Sequence, residues 1–161
     1  MLKLMDTAVF GAGCFWGVEA AFTQMPGVVE TTVGYMGGTK KNPTYKEVCS
    51  NSTGHIEVVE VKYDPKILNY KKLLEKFWSI HDPTQRNRQG PDIGRQYASI
   101  IFYCSDQQKK EAEQSKLLLE QSQRFSRGIS TEIPPCTTFY PAEDYHQKYY
   151  QKHGLQGCPI H

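Results

Sequence analysis

The sequence predicts an α+β fold, a two-layer sandwich in which helices pack on a mixed sheet. Segments typical of strands and of helices alternate in the order β-α-β-β-α-β-α, as in a ferredoxin-like core. The 161 residues are enough for one domain with a hydrophobic core and few for two. Because no repeat, low-complexity run or linker interrupts the chain, we expect one domain over residues 1–161, with residues 154–161 as a flexible tail.

The first three elements follow from short apolar and β-branched runs. Thr7–Phe10 is a brief apolar run that predicts a strand. A helix is predicted over Cys14–Gln24, and it ends before the breaker pair Pro26-Gly27. Val28–Gly34 is rich in valine and threonine and predicts the second strand, after which glycine and Asn-Pro pairs indicate a loop.

The middle of the chain contains a strand, a helix, a loop and a further strand. Apolar and charged residues alternate over His55–Tyr63, which predicts a strand with one face in solvent. Asn69 is a candidate N-cap for a helix whose apolar residues, Trp78 among them, recur at the spacing of a core-facing stripe. The polar segment His81–Ile93 predicts a long loop, and loops of this length often carry function. Tyr97–Tyr103 predicts the next strand.

The last third of the chain is more polar and has weaker patterns. Ser105 and Gln108 form a candidate capping box at the start of a helix that extends to about Gln123. Ile129–Ile133 predicts a short strand, and Ala142–Lys152 predicts a short helix.

Composition and charge exclude several classes of protein. Hydrophobic residues make up 39% and charged residues 22% of the chain, which is typical of a globular domain. With 19 basic and 17 acidic residues, and no basic stripe with interleaved aromatics, we expect no nucleic-acid partner. The sequence contains no run of about 18 apolar residues, so we predict no membrane-spanning helix. The first six residues have no signal-peptide hydrophobic region, so we expect a cytoplasmic protein. The near-neutral charge and the lack of a long apolar edge favour a monomer.

The chain has five cysteines, an odd number with no Cys-x-x-Cys pair. A secreted disulfide scaffold is usually shorter and denser in cysteine. A structural zinc site usually needs closely spaced cysteine or histidine pairs, so we expect no metal. We expect most of the five, Cys104 among them, to be buried reduced thiols.

Cys14 stands where the first strand turns into the first helix. Gly11 and Gly13 free the backbone of this turn and leave space above it. The first helical turn has N–H groups without helical partners and the positive end of the helix dipole, and both favour a thiolate. Phe15 and Trp16 follow directly, so the reactive sulfur is expected beside an aromatic wall suited to a small apolar group.

Several side chains could assist this thiol. His55 and Glu57 are two residues apart and lie on the same face of a predicted strand. In an aromatic pocket the pKa of Glu57 would be raised by desolvation, so that it could act as a general acid. Tyr35, Tyr45 and Tyr97 could donate hydrogen bonds to a developing oxyanion. On spacing alone, an exposed strand carboxylate and half-buried packing tyrosines remain the alternatives.

A series of ordered motifs covers most of the chain from about residue 10 to residue 149. They are Gly13-Cys14-Phe15-Trp16-Gly17, Gly34-Tyr35-x-Gly37-Gly38, Asn42-Pro43-Thr44-Tyr45, Gly54-His55-x-Glu57, His81-Asp82-Pro83, Asp92-Ile93-Gly94-x-Gln96-Tyr97 and Tyr145-His146-Gln147. In these motifs and their order the chain resembles the peptide methionine sulfoxide reductase A family. Their number makes the resemblance specific.

The resemblance implies a reaction. Cys14, as the thiolate, attacks the sulfur of the S epimer of methionine sulfoxide, protein-bound or free. Glu57 protonates the sulfoxide oxygen, with hydrogen bonds from Tyr45 and Tyr97. Methionine leaves, Cys14 becomes a sulfenic acid, and a second cysteine condenses with it to a disulfide that thioredoxin reduces.

The resemblance also implies a substrate site. Phe15 and Trp16 hold the substrate methyl group, Tyr35 contributes to the pocket, and Asp92 binds the backbone or amine side of the substrate. The scheme needs no metal and no organic cofactor.

Two positions depart from the family pattern. Family tails often carry a cysteine in a Gly-Tyr-Cys-Gly setting, whereas here Gly157 precedes Cys158 and a proline follows it. We favour Cys158 as the cysteine that resolves the sulfenic acid, ahead of Cys49 and then Cys136. Ala98 stands where the family often has arginine, which alters either substrate contacts or only the surface.

Two other functions remain open at this stage. A papain-like cysteine hydrolase would use Cys14 with His146, which lies 132 residues downstream, but the motif lacks the second cysteine and a clear oxyanion glutamine. A binding module would use the aromatic pair as a methionine or peptide pocket, and it would leave the glycine-rich approach to Cys14 unexplained.

Overall fold

The computed structural model describes residues 4–154, and this part contains the predicted order β-α-β-β-α-β-α together with further short strands and helices. Its strands are β1 (Asp6–Ala12), β2 (Val28–Met36), β3 (Ile56–Tyr63), β4 (Arg88–Gln89), β5 (Asp92–Ile93), β6 (Ser99–Phe102) and β7 (Tyr140–Pro141). Its α-helices are α1 (Phe15–Thr23), α2 (Tyr45–Cys49), α3 (Tyr70–Ser79), α4 (Asp106–Gln121) and α5 (Tyr149–Lys152). Two 3₁₀ helices cover Arg95–Tyr97 and Asp144–His146.

Within residues 4–154 the main sheet has five strands in the order β6-β1-β3-β2-β7, and all their pairings are antiparallel. Parallel pairing occurs as isolated bridges from Ile100 to Glu132 and from Tyr103 to Pro135. The predicted strand over Ile129–Ile133 is therefore reduced to single bridges beside β6. The α+β class, with helices packed on one sheet, is confirmed, whereas the predicted mixed sheet is wrong because its strands pair antiparallel throughout residues 4–154.

Strand β3 lies at the centre of this sheet, which corrects one expectation from the sequence. Its first four residues are buried on both faces, so the prediction of a strand face in solvent is wrong for that half. One face is covered by helices, and the other by a small apolar cluster that Cys136 and Phe139 pack against. Polar side chains at the start of β3 are therefore enclosed.

Helices α1 and α3 form the second layer over the sheet. Phe10 of β1 stacks on Phe22 of α1, with ring centroids 5.1 Å apart, and on Phe77 of α3 at 5.3 Å. Asn69 caps α3 as predicted, because its side chain accepts a hydrogen bond from the Lys72 N–H at 2.9 Å. Trp78 is buried in this core, as expected, and its indole donates to Ser115 at 2.8 Å.

The start of α4 differs from the predicted capping box. Ser105 accepts from the Gln108 N–H at 3.1 Å, as the box requires. The Gln108 side chain, however, accepts from the Cys104 N–H and donates to the carbonyl oxygen of Thr7, each at 2.8 Å. Gln108 therefore ties α4 to β1 instead of closing the box.

The long polar loop over His81–Ile93 is partly ordered as the β4-β5 hairpin. His81 anchors its start, because the ring contacts the Phe77 carbonyl oxygen and the Ser99 hydroxyl, each at 2.7 Å. Burial lowers the pKa of His81 to about 4, so the ring is neutral. Gln89 packs so close to Gly13 that a Cβ atom there would lie 2.9 Å from the Gln89 Cβ. The hairpin therefore covers the turn before Cys14.

The predicted helix over Ala142–Lys152 is a 3₁₀ turn followed by α5, separated by Lys148 in the left-handed region at φ 55°. The expected flexible tail lies outside the described residues, except for Gly154. In residues 4–154 no helix is long and apolar enough to cross a membrane.

Cys104 and Cys136 form a disulfide with a Cα–Cα distance of 5.4 Å. The expectation of a buried reduced thiol at Cys104 is therefore wrong. Cys104 lies two residues after the end of β6 and is exposed. Cys136 lies in the segment that runs beside that strand, so parallel chain pairing brings the two sulfurs together. The disulfide links positions 32 residues apart.

We expect Cys136→Ser to lower the free energy of unfolding by about 3 kcal/mol under non-reducing conditions, because the cross-link restricts the unfolded chain. For a chain of this length that corresponds to a decrease in Tm of roughly 10 °C. Thermal unfolding of the wild-type protein and the variant, with and without dithiothreitol, measures the effect. The difference should disappear in reductant, and equal Tm values without reductant would contradict a stabilising disulfide.

Candidate active site

Cys14 is the N-cap residue of α1 and is half-buried. Its carbonyl oxygen accepts the first helical hydrogen bond, from the Val18 N–H at 3.5 Å. Gly13 before it has φ +96°, a conformation that favours glycine, and it leaves room for Gln89. The thiol therefore lies at the positive end of a nine-residue helix, as the sequence predicts.

Glu57 of β3 lies at the N-terminus of α1 and is only 1% exposed. Its Oε1 accepts a hydrogen bond from the backbone N–H of Phe15, the residue after Cys14, at 3.2 Å. Its Oε2 is buried and has no hydrogen-bond partner among residues 4–154. The alternative of an exposed strand carboxylate is wrong.

The pKa of Glu57 is raised to about 8, and burial is the main cause. The Phe15 N–H lowers the pKa in part, and the negative charge of Asp92 raises it further. Glu57 therefore carries a proton at neutral pH, which is the state a general acid needs.

Three tyrosines approach the same carboxyl. Tyr35 of β2 is paired with Glu57 in the sheet register, and Tyr45 begins α2. Tyr97 ends the 3₁₀ turn after β5. Burial raises the pKa of all three tyrosines, and the charge of Glu57 raises the pKa of Tyr45 and Tyr97 further. All three hydroxyls therefore remain protonated donors.

Phe15 and Trp16 form an aromatic wall with residues from distant parts of the chain. The buried Phe15 ring has its centroid 5.8 Å from Tyr35 and 6.4 Å from Tyr45. Trp16 is half-buried and stacks on Tyr149 of α5, with ring centroids 3.8 Å apart and an interplanar angle of 7°. The expected aromatic wall is therefore present, and α5 completes it.

Asp92 of β5 is half-buried on the hairpin that covers Cys14. Its charge raises the pKa of both Glu57 and Tyr97. The structure thus places a carboxylate at the edge of the site, on the side of Tyr97.

Sequence reasoning missed Glu143 as a site residue. Its carboxylate accepts from the Tyr35 hydroxyl at 3.0 Å and from the Tyr45 N–H at 2.9 Å. Burial acts to raise the pKa of Glu143, but hydrogen bonds, first that of the Tyr45 N–H, outweigh it and lower the pKa. An isolated glutamate within a predicted short helix gives no signal of this bridging position.

His146 belongs to one of the motifs, and the sequence gives it a catalytic place only in the cysteine-hydrolase alternative. It is 1% exposed, and its Nδ1 accepts from the Trp16 indole N–H at 2.9 Å. Its Nε2 has no hydrogen-bond partner within the part of the chain that the structure describes. A cysteine hydrolase would need this imidazole on the thiol, so its geometry argues against that alternative.

The segment that carries Glu143 and His146 is fixed to the sheet and to α1. Gln147 exchanges hydrogen bonds with both backbone groups of Val33, each at 2.9 Å. The ammonium group of Lys148 pairs with the buried Glu19 carboxylate at 2.7 Å and also contacts Thr31. These contacts hold the segment in place against the aromatic wall.

Other candidate residues lie around this centre or outside it. Cys49 ends α2, is exposed, and contacts Tyr45 and Gln96. His55 is buried away from the thiol; its ring accepts from the Gly38 N–H at 3.0 Å and contacts the Lys40 carbonyl oxygen at 2.7 Å. Cys158 lies outside the described residues, and Cys136 is held in its disulfide.

The groups in this arrangement favour one type of reaction. A thiol at a helix N-terminus, a protonated carboxyl group and tyrosine donors lie next to the aromatic wall. They can attack an electrophile while protonating an oxygen on it, in a space suited to a small apolar group. Among residues 4–154 no cluster of three histidine, cysteine or acidic side chains could hold a metal ion.

Comparison with known proteins agrees with this geometry. A family model described as "Peptide methionine sulfoxide reductase" matches residues 6–161. The chain is 57% identical to a peptide methionine sulfoxide reductase MsrA of Methanothermobacter thermautotrophicus, over 98% of this chain and 93% of the relative. It is 55% identical to an MsrA of Geobacter sulfurreducens, over 96% of this chain and 95% of the relative.

Solved structures are also similar. Mxr1 from Saccharomyces cerevisiae in reduced form matches with a TM-score of 0.90 and 36% identity, over 98% of this chain and 91% of that one. Methionine sulfoxide reductase A of Corynebacterium diphtheriae matches with a TM-score of 0.83 and 41% identity, over 98% and 79%. Mxr1 in complex with Trx2 matches with a TM-score of 0.65 and 28% identity, over 98% and 88%.

Proposed function

The chain belongs to the peptide methionine sulfoxide reductase family, and from this premise we propose how its residues divide the reaction. The protein is an oxidoreductase that reduces methionine sulfoxide through a cysteine thiol. The observation that carries the assignment of residues is the buried Glu57 carboxyl group, which binds the N–H of the residue next to Cys14.

Cys14 is the nucleophile. Its thiolate attacks the sulfoxide sulfur, and Glu57 delivers a proton to the sulfoxide oxygen. The S–O bond breaks as the oxygen passes to the Cys14 sulfur, which gives methionine and the Cys14 sulfenic acid. Tyr45 and Tyr97 donate hydrogen bonds to the oxygen while its negative charge develops.

Phe15, Trp16 and Tyr35 bind the substrate methyl group. The position of Phe15 against Tyr35 supports this pocket, because both rings are buried next to Glu57. Asp92 receives the backbone or amine side of the substrate, since it lies on the hairpin at the edge of the site. Both protein-bound and free methionine sulfoxide can satisfy these contacts.

Cys158 resolves the sulfenic acid by condensing with it, which forms a Cys14–Cys158 disulfide and releases water. The chain after Gly154 starts beside the site, because His153 packs on Tyr149 with ring centroids 4.2 Å apart, and Tyr149 stacks on Trp16. The five residues from His153 to Cys158 span at most about 18 Å.

Thioredoxin then reduces this disulfide by thiol exchange. The yeast relative Mxr1 in complex with Trx2 supports this partner. We propose a single catalytic domain that acts as a cytoplasmic monomer without metal or organic cofactor. Thioredoxin keeps thiols reduced in that compartment, so we expect the Cys104–Cys136 bond to form there only under oxidising conditions.

We expect one turnover without reductant to yield a Cys14–Cys158 disulfide. The experiment mixes reduced protein with one equivalent of sulfoxide, blocks remaining thiols, and identifies cross-linked peptides by mass spectrometry. Cys158→Ser should instead leave a sulfenic acid that dimedone labels. A Cys14–Cys49 peptide in the wild-type protein would contradict the role of Cys158 and assign resolution to Cys49.

The reaction itself is tested by turnover of the separate S and R epimers of a blocked methionine sulfoxide with dithiothreitol. We expect reduction of the S epimer alone, because one face of the sulfoxide can present its oxygen to Glu57 while the methyl group contacts Phe15. Reduction of neither epimer would leave the thiol-independent binding module as the better explanation of this pocket.

A further inference from the structure

The indole of Trp16 is held by a residue from the far end of the chain. Its N–H donates to His146 Nδ1 at 2.9 Å, across 130 residues of sequence. Because Nδ1 accepts this bond, the neutral ring must carry its proton on Nε2. Burial lowers the pKa of His146, which favours the neutral ring that the hydrogen bond requires.

His146 itself has little freedom to move. Its ring centroid lies 5.2 Å from Phe15, 4.3 Å from Tyr45 and 4.1 Å from Tyr145. The residues on either side are also fixed, because Glu143 binds Tyr35 and Tyr45, and Gln147 binds the backbone of Val33. A ring packed in this way presents its acceptor in one direction.

Trp16 is therefore constrained twice. One edge of the indole is fixed by the hydrogen bond to His146, and one face is covered by the stacked ring of Tyr149. Trp16 is only half-buried, so packing against the core does not by itself determine the plane of the ring. A half-buried indole without its acceptor could adopt other rotamers.

We propose that His146 is a positioning residue that sets the plane of the Trp16 indole, and through it the shape of the pocket for the substrate methyl group. The inference rests on the proposed function, in which Trp16 lines that pocket. His146 touches no reacting atom in this assignment. Without His146 the Trp16 indole would be displaced by a fraction of an ångström. The pocket would then hold the sulfoxide in fewer productive orientations.

The main test is a double-mutant cycle with Trp16→Phe, which keeps an aromatic ring but has no N–H. His146→Leu is expected to lower kcat/KM for the S sulfoxide by about tenfold or more, mainly through kcat, because a smaller share of the bound sulfoxide is oriented for attack. In the Trp16→Phe background the same change should alter kcat/KM by less than about twofold, because the bond is already absent.

Two controls separate this role from a loss of folding. His146→Asn should recover most of the activity, because Asn Oδ1 can accept from the indole where Nδ1 did. Gln151→Leu changes an exposed side chain of the same segment and should leave kcat/KM unchanged. If His146→Leu does not fold, His146→Phe keeps the ring volume without the acceptor and replaces it in the cycle.

Substrate preference gives a readout that a purely structural residue would not change. The ratio of kcat/KM for methyl and ethyl sulfoxides should fall at least about threefold in His146→Leu, because a loosened wall discriminates less against one methylene group. An equal loss for both substrates, or an equal effect of His146→Leu with and without the Trp16 indole, would overturn the proposal.

The hydrogen bond can also be observed without turnover. The chain has two tryptophans, so a ¹⁵N-labelled sample gives two indole N–H signals, with Trp78 as the internal reference. The Trp16 signal should shift in His146→Leu and return in His146→Asn; an unmoved signal in a folded variant would overturn the proposal. A wild-type protein without sulfoxide reductase activity would overturn the proposed function instead, and the indole signal would still report the bond.

Discussion

Cys14→Ser is expected to abolish the reduction of methionine sulfoxide, with kcat lower by on the order of 10⁴-fold or more. A serine hydroxyl is not ionised at the N-terminus of α1, whereas a thiol there is favoured as the thiolate. Serine also cannot accept the sulfoxide oxygen as a stable sulfenic acid, so neither half of the reaction remains.

The measurement is steady-state turnover of the blocked S sulfoxide with dithiothreitol, which removes any need for a resolving cysteine. Cys49→Ser is the matched control, because it makes the same chemical change at an exposed thiol of α2. We expect it to retain activity. Thermal unfolding of both variants should resemble that of the wild-type protein, and full activity in a folded Cys14→Ser variant would end the assignment.

Local patterns were sufficient for the elements whose signals lie within a few residues. The Asn69 cap, the apolar stripe of α3 and the glycine turn before Cys14 were all predicted correctly. Helix α2 was not predicted, although the sequence contains a signal for it. That signal is the pair Thr44 and Glu47, which forms a capping box in the structure. A five-residue helix between two loops is too short for a periodic pattern to show.

The burial of Glu57 could not be predicted from its strand alone. Alternating charge over β3 indicates a face in solvent only if nothing covers that face, and Glu57 lies on the face that α1 covers, where the Phe15 N–H binds its carboxyl group. The sheet order that makes β3 central is set by pairing between distant strands, which the period-2 pattern does not encode.

Glu143 and His146 were missed for a related reason. They reach the site because β7 pairs with the edge of β2, where Tyr140 is opposite Tyr35. That strand is two residues long and contains a proline, so it has no strand pattern. Single polar side chains that bridge residues about 100 positions apart leave no periodic signal in one sequence.

Glu57→Ala is expected to lower kcat/KM by about 10²–10⁴-fold, because it removes the proton donor for the sulfoxide oxygen. Alanine also leaves the Phe15 N–H, next to the nucleophile, without its acceptor. Glu57→Gln should keep much of the activity, since the amide can accept from the Phe15 N–H and still donate a hydrogen bond to the oxygen.

The two variants also differ in the expected pH dependence. The pKa of Glu57 is raised to about 8, so the carboxyl group is protonated below that pH and becomes a carboxylate above it. General-acid catalysis is therefore present at lower pH, and the rate should fall as the pH rises through about 8. Glutamine does not ionise, so Glu57→Gln should lose this falling limb.

Single-turnover formation of methionine, followed from about pH 6 to about pH 10, separates this effect from the ionisation of the external reductant. Glu57→Ala at each pH gives the rate without any donor at this position. If the rate of Glu57→Gln falls at high pH as that of the wild-type protein does, another group causes the fall. Glu57 is then a residue that orients the Phe15 N–H and not the general acid. If the limb is lost while the rate at low pH is largely kept, the buried carboxyl group on β3 supplies the proton.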